Sequence, residues 1–374
     1  MLTIDEFALT FDDEPGYLNF ARVGPLARVV VDEERAQVEL LRKARFGSLD
    51  GLQEQGARLQ RAVSAITGFR ERHIVFQPNT SMGLMEVMFG LRGKLLLSRN
   101  EFPSAAFAAV RASEAVGSLT LQWLEDDYGR LTPGSIKQQL SNDVTAVAVS
   151  LVDFQTGHLV DLEGIRQVIG DRLLIVDAIQ GFTVTETDLT LADVVVSGGQ
   201  KWVRAGWGTG FLAMSERAKG QISPVLSGFN ATDAGPVPTG SVPAPTRDVH
   251  AFQITNPSPI AQARFSAALE QLAEVGIPAV AKRVSDNATK TIDLADEFGI
   301  PVSSPRSVED RAGIVVLTPA ADQLTALVAS LHNHGVTVTT REDSVRLSVH
   351  TTTTEETLDL VRACFQSFAS VTSR

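Results

Sequence analysis

Residues 173–182 read LLIVDAIQGF, and residues 193–214 read DVVVSGGQKWVRAGWGTGFLAM. Each contains a short apolar, largely β-branched run that ends in polar residues and glycines. A run this short, apolar at consecutive positions and bounded by Gly, suits a strand buried on both faces of a parallel sheet. Reactive groups in open α/β sheets gather at the carboxyl ends of such strands. Asp177 closes the first run and Lys201 follows the second, so the two side chains are expected to face one site from neighbouring strand ends. Alone the pair is a weak signal, because an acid and a lysine near strand ends are common in α/β proteins.

The rest of the composition sets the frame. A chain of 374 residues has room for a large core and two domains. With 44% hydrophobic and 21% charged residues it has an ordinary soluble balance, and a net charge of −11 argues against non-specific nucleic-acid binding. The single cysteine, Cys364, rules out a disulfide framework and a cysteine-based metal site, and no metal is expected. No apolar run approaches the roughly 20 residues of a membrane-spanning helix. The acidic start MLTIDEFALTFDDEPGYLNF lacks the basic opening and apolar core of a signal peptide, so a cytoplasmic protein is expected.

A buried carboxylate and a lysine amine are the two groups that a pyridoxal phosphate site needs. The amine binds the cofactor as a Schiff base, and the carboxylate keeps the pyridine nitrogen protonated. DAIQG (177–181) followed by SGGQKW (197–202) resembles the class V aminotransferase family of fold-type I pyridoxal phosphate enzymes. That family includes alanine–glyoxylate aminotransferase, cysteine desulfurases, isopenicillin N epimerase and kynureninase. The resemblance implies an α/β fold in three parts. An extended N-terminal arm (1–24) joins the small domain and crosses the mouth of the site. A large cofactor-binding domain (25–244) carries a mostly parallel seven-stranded sheet between helices. A smaller C-terminal α/β domain (245–374) includes a linking helix at 257–274. It also implies pyridoxal 5'-phosphate as cofactor, an amino-acid substrate and a homodimer with shared active sites.

The remaining motifs occur in the family's order. YLNFARVGPL (17–26) resembles its opening arm; Arg22 there could meet a substrate carboxylate or stand in solvent. Apolar residues at three- and four-residue spacing predict two helices over 31–46 and 52–69. HIVFQPNTS (73–81) is a strand running into a capped helix start, which suits either a plain cap or an anion site. The resemblance gives Thr80 and Ser81 the cofactor phosphate. In NEFPS (100–104) Phe102 precedes a proline at the first helical position. In the family this residue covers the ring face, and the wording is kynureninase-like. Residues 144–162 (VTAVAVSLVDFQTGHLVDL) form a buried strand ending in Gln-Thr-Gly. The resemblance brings Thr156 or Gln155 near the phenolic oxygen and the substrate, whereas Leu151 and Val152 stand where several members have His or Asn. Gln180 matches the residue that hydrogen-bonds the phenolic oxygen, and Gln200 would touch the phosphate where other members have His.

Residues 220–250 change character, with GFNATDAGPVPTGSVPAPTRDVH rich in Gly, Pro, Ser and Thr, and read as a long loop, which in the family approaches the partner's site. In FQITNPSPI (252–260), Thr255 or Asn256 would reach a phosphate across the dimer. In VRLSVHTTTTEE (345–356), Arg346 matches the residue that binds the substrate's α-carboxylate, a paired contact that Lys cannot copy.

The reaction expected first is transamination. A kynureninase-like hydrolase or carbon–sulfur β-lyase comes second, on NEFPS and ITNP, and an amino-acid epimerase third. A cysteine desulfurase is disfavoured, because its reactive cysteine lies on a loop before the Arg strand and Cys364 lies after it in an amphipathic helix. The non-catalytic alternative is a binding protein on a retired cofactor fold. Intact Asp177, Gln180, Lys201 and Arg346 speak against it, and no GxGxxG or P-loop supports a nucleotide-binding protein.

Overall fold

Runs that are apolar at every position have no face to give to water, and they occupy the middle of the main sheet. The computed structural model describes residues 2–125, 130–233 and 240–372, so residues 234–239 of the loop expected at 220–250 lie outside the described residues. β1 (Ile74–Phe76), β2 (Gly93–Ser98), β3 (Leu119–Leu124), β4 (Val144–Ser150), β5 (Leu173–Asp177), β6 (Val194–Gly198) and β7 (Gly210–Met214) form one seven-stranded sheet in the order β1-β7-β6-β5-β4-β2-β3. β2 to β6 are parallel, and β7 runs antiparallel between β1 and β6. This is the mostly parallel sheet that the family resemblance implies.

Every residue of β5 and β6 is buried. Leu174 and Val176 face one core, Leu173 and Ile175 the other, as the two-residue period of a strand requires. The helices Thr80–Gly90 and Pro103–Val116 close one face through Leu84, Val87, Ala105 and Ala108. The other face packs on the helices Gln55–Thr67 and Pro259–Val275 and on Leu18 and Phe20 of the arm. A separate antiparallel sheet, in the order β8-β10-β9, comprises β8 (Ile314–Leu317), β9 (Thr339–Thr340) and β10 (Val345–Ser348). Among the described residues no helix is long and apolar enough to cross a membrane.

Two local expectations are corrected. The arm is not extended throughout, because Ile4–Ala8 is a helix started by a Thr3–Glu6 capping box. The helical region expected as two segments divides into Arg28–Lys43, Ser48–Gln53 and Gln55–Thr67. The first break falls where Ala44 (φ 44°) and Gly47 (φ 80°) turn left-handed.

The arm ties the two sheets together. Leu18 N donates to Thr337 O at 3.0 Å, and Ser348 N donates to Leu18 O at 2.8 Å. Further on, Gly24 N donates to Gln200 O at 2.9 Å. A Cβ at Gly24 would lie 2.2 Å from the Lys201 carbonyl oxygen, so this approach needs glycine. The loop after Lys201 is bolted by Arg204, which is buried, has φ 62° and forms an ion pair with Asp13. The same guanidinium lies 3.8 Å over the Phe11 ring, and its Nε donates to Pro25 O at 2.7 Å. Asp13 also accepts from Thr352 Oγ1 at 2.6 Å. Asp13→Asn would leave the guanidinium buried without a countercharge. It is expected to lower stability by ~3–5 kcal/mol, read as a lower urea midpoint at an unchanged denaturant slope.

Candidate active site

The carboxyl ends of β5 and β6 open into a cavity of about 340 Å³. Asp177 and Lys201 line it from those ends, Thr80 and Ser81 from a helix start, and Phe102 from the turn after β2. Gln180, Gln200, Arg346 from β10 and Arg22 from the arm are the other expected residues that line it. Ala21, Asn79, Ser104 and Ile179 also line it, and the sequence alone did not single them out. The two that carry hydroxyl or amide groups flank Thr80 and Phe102, so adjacency to those motifs was their signal.

The Asn79 side chain caps the helix Thr80–Gly90 by accepting from Met82 N at 2.9 Å. The first-turn amides have no acceptor within the helix, and its dipole there favours an anion. Thr80 Oγ1 is buried with no hydrogen-bond partner in the protein, while Ser81 Oγ shares a 2.7 Å hydrogen bond with Ser104 Oγ.

Asp177 is buried, and its Oδ1 accepts from Ile179 N at 3.0 Å. Burial pushes its carboxyl up to about 6, against that hydrogen bond and the Lys201 charge. Burial likewise pushes the Lys201 amine down to about 8, with Asp177 opposing. Lys201 Nζ stands 5.4 Å from the centroid of the Phe102 ring, which meets Phe154 edge-on at 5.2 Å. Gln180 is held at both ends of its amide. Its Oε1 accepts from Trp202 Nε1 at 3.0 Å, and its Nε2 donates to Ala21 O at 2.9 Å. One N–H of that amide remains for a ligand. His350 supports Trp202 from behind: its Nε2 lies 3.2 Å from Trp202 O, and its ring stacks on Phe20 at 4.8 Å. Burial holds it well below the usual histidine range, so it stays neutral.

Arg346 is buried on β10. Its Nη1 donates to Phe154 O at 3.0 Å, its Nη2 to Thr339 Oγ1 at 3.4 Å, and its Nε has no partner. Burial, then the Arg341 charge, lowers it to about 10, which still leaves it cationic at neutral pH.

Four candidates stand outside this lining. The Thr156 hydroxyl donates to Asp153 Oδ1 at 2.7 Å, and Gln155 Nε2 donates to Asn100 O at 3.1 Å. Their turn is clamped by Arg341, which follows β9 and donates to Phe154 O at 2.7 Å and to Gln155 O at 2.9 Å. Thr255 and Asn256 line a second cavity of about 460 Å³, with Phe76, Met82 and Phe252. Sequence reasoning also missed Glu101. Its buried carboxyl accepts from Ser150 N at 3.0 Å and is pushed up to about 7 by burial. Ser150 is the register partner of Asp177. Among the described residues no group of three or more His, Cys, Asp or Glu is placed to hold a metal.

The family model for aminotransferase class-V matches residues 53–372. The chain belongs to this family. The curated relatives of this class V chain include the kynureninase of Deinococcus radiodurans, 24% identical over 246 residues, covering 63% of this chain and 58% of the relative. A probable cysteine desulfurase of Methanothermobacter thermautotrophicus is 28% identical over 182 residues, covering 46% of this chain and 45% of the relative. The matches thus span about half the length of these relatives. Among solved structures, a C-DES mutant with glycine covalently linked to its PLP cofactor superimposes with a TM-score of 0.83 at 19% identity, covering 94% of this chain and 96% of the other. The apo cysteine desulfurase from Thermococcus onnurineus NA1 gives 0.81 at 21%, covering 93% and 94%. These likenesses show the fold.

Class V members use pyridoxal phosphate, and the cavity of this chain fits that cofactor. The orphaned Thr80 hydroxyl at a helix N-terminus suits a phosphate, and a buried acid and a buried amine stand in the same cavity. Without cofactor, the raised Asp177 value has a consequence for stability. The folded protein favours the protonated carboxyl, so the group's contribution is full below about 3.8 and is lost as pH rises through about 6. At pH 7.5 Asp177→Asn is therefore expected to stabilise the cofactor-free protein by roughly 1–3 kcal/mol while weakening its capture of pyridoxal phosphate. Urea unfolding at pH 7.5 and pH 4 checks this: the gain should shrink at the lower pH.

Proposed function

We propose that the protein is an aminotransferase acting on an α-amino acid. The observation that carries this is the poverty of the cavity in acid–base groups. Among the described residues its lining has Lys201 and Asp177 but no His, Cys, Tyr or Glu. Transamination needs one base that takes the α-proton and delivers it to an adjacent carbon, and Lys201, with its amine pushed down to about 8, suits that task near neutral pH. A poor leaving group on Cβ would call for a second acid.

Pyridoxal phosphate, when bound, supplies an electron sink for the charge left at Cα. Thr80, Ser81 and Gln200 would hold its phosphate, Asp177 its ring nitrogen, Gln180 its phenolic oxygen, Phe102 its ring face and Lys201 its aldehyde carbon. Arg346 would bind the substrate's α-carboxylate with its free Nε and so orient the Cα–H bond toward Lys201 Nζ. Thr156 and Gln155 would act from the wall, through the turn that Arg341 and Arg346 clamp. The separate position of Thr255 and Asn256 supports a homodimer in which they reach the partner subunit's phosphate.

The second reading, a kynureninase-like hydrolase or carbon–sulfur β-lyase, is favoured by Phe102-Pro103 at the cavity and by the kynureninase relative. Cysteine-persulfide chemistry is not favoured. Cys364 is the sole cysteine, lies buried in the helix Glu355–Thr372 and has its thiol pushed up to about 11 by burial.

Incubating the holoenzyme with L-amino acids, with and without a keto acid, separates the readings. Amino transfer that depends on the keto acid is expected. Pyruvate and thiol released without it would select the lyase. Lys201→Ala should abolish the visible absorption gained with pyridoxal phosphate and slow α-proton exchange by on the order of 10²–10⁴. For the shared site, light scattering should give twice the chain mass. Mixing inactive Lys201→Ala chains with inactive Thr255→Ala/Asn256→Ala chains should restore part of the activity, because one of the two hybrid sites is intact.

A further inference from the structure

The cavity carries one cation more than a monocarboxylic amino acid would use. On the reading above, which this inference rests on, Arg346 takes the α-carboxylate and Lys201 serves the cofactor and the α-proton. Arg22 lines the same cavity. Its charge acts on Arg346 and on Tyr17, which puts it on the Arg346 side. Among the described residues it has no ion-pair partner.

The backbone beneath Arg22 is fixed from three directions. Ala21 N donates to Ser348 Oγ at 2.9 Å, two residues from Arg346. Ala21 O accepts from Gln180 Nε2 at 2.9 Å, and Gly24 N donates to Gln200 O at 2.9 Å. Arg22 N closes the turn on Asn19 O at 3.0 Å. The side chain is exposed where the neighbouring Ala21 is buried. A long cationic side chain therefore stands at the mouth, on a backbone held by both walls. Two guanidiniums facing one cavity repel each other, and among the described residues Asp177 is the one carboxylate in the lining, already assigned to the cofactor's ring. A ligand with two acid groups removes that repulsion and satisfies both cations.

We propose that Arg22 is a specificity residue that receives a second acid group on the substrate, so that the enzyme takes amino acids with a short anionic side chain in preference to neutral ones. Arg22 and Arg346 divide the two acid groups between them.

Binding of unreactive analogues to the holoenzyme tests this without relying on turnover. Succinate and glutarate are compared with butyrate and valerate, of equal chain length, by calorimetric titration. The wild-type protein should bind the diacids about tenfold more tightly. Arg22→Gln should bring that ratio within roughly twofold and leave the monoacids unchanged. Arg22→Lys should keep part of it, and Arg346→Gln should weaken all four. Equal binding of diacids and monoacids by the wild type overturns the proposal, and so does an Arg22→Gln variant that weakens both classes alike, which would mean both arginines share one carboxylate. The transaminase reading is scored separately, by keto-acid formation. A diacid preference without amino transfer leaves the anion site standing and removes that reading; amino transfer without a diacid preference does the reverse.

Discussion

Lys201 is withdrawn from water at the end of β6, and most of the surrounding architecture serves to keep it there. An ammonium in such a place loses hydration that a single carboxylate across a cavity does not restore, so the amine shifts toward its neutral form. That form is the nucleophile and the base. Burial has to be enforced from several sides. The sheet supplies one wall by being apolar on both faces. The arm supplies another, approaching so closely at Gly24 that a methyl group would strike the Lys201 carbonyl. The loop after Lys201 is pinned by the Arg204–Asp13 pair, and Arg204 adopts a backbone conformation that non-glycine residues rarely take.

Around that amine the cavity divides its electrostatic work. At the helix start of Thr80–Gly90 the donors are a hydroxyl and backbone amides, which take an anion without a formal charge. Toward the small domain the donors are guanidiniums. The Phe154 turn joins the two regions: Phe154 meets Phe102 edge-on, and its carbonyl accepts from both Arg341 and Arg346. A shift of the small sheet would therefore move the aromatic wall and Arg346 together. Gln180 makes a similar connection on the other side, tying the arm at Ala21 to Trp202 next to Lys201.

The fold is shared with desulfurases and C-DES, and the curated relatives include a kynureninase. One scaffold thus supports different bond cleavages, which is expected when function resides in a few side chains around a common cofactor site. In this chain the described cavity lining holds no cysteine or histidine and carries an arginine at the mouth.

The reading of residues 173–214 as two buried strands ending in an acid and a lysine rests on local physics. A strand's period and an apolar run are properties of neighbouring residues, and so is the capped start at Asn79-Thr80. The Thr3–Glu6 capping box was equally local and was passed over in favour of an extended arm. Other features depend on which distant segments burial brings together. Arg22 and Arg346 come from opposite ends of the chain and meet because the arm bonds beside β10. Thr156 carries a motif that pointed to the cofactor, yet its hydroxyl is taken by Asp153. Glu101 and Arg204 look like ordinary charged residues until the fold removes their water. The sequence by itself determined the strand ends and the groups they present, because those follow from chain geometry over a few residues. Only the tertiary structure decided which of those groups share a cavity and which are already satisfied elsewhere, because hydrogen bonding and desolvation are settled by partners far away in the chain.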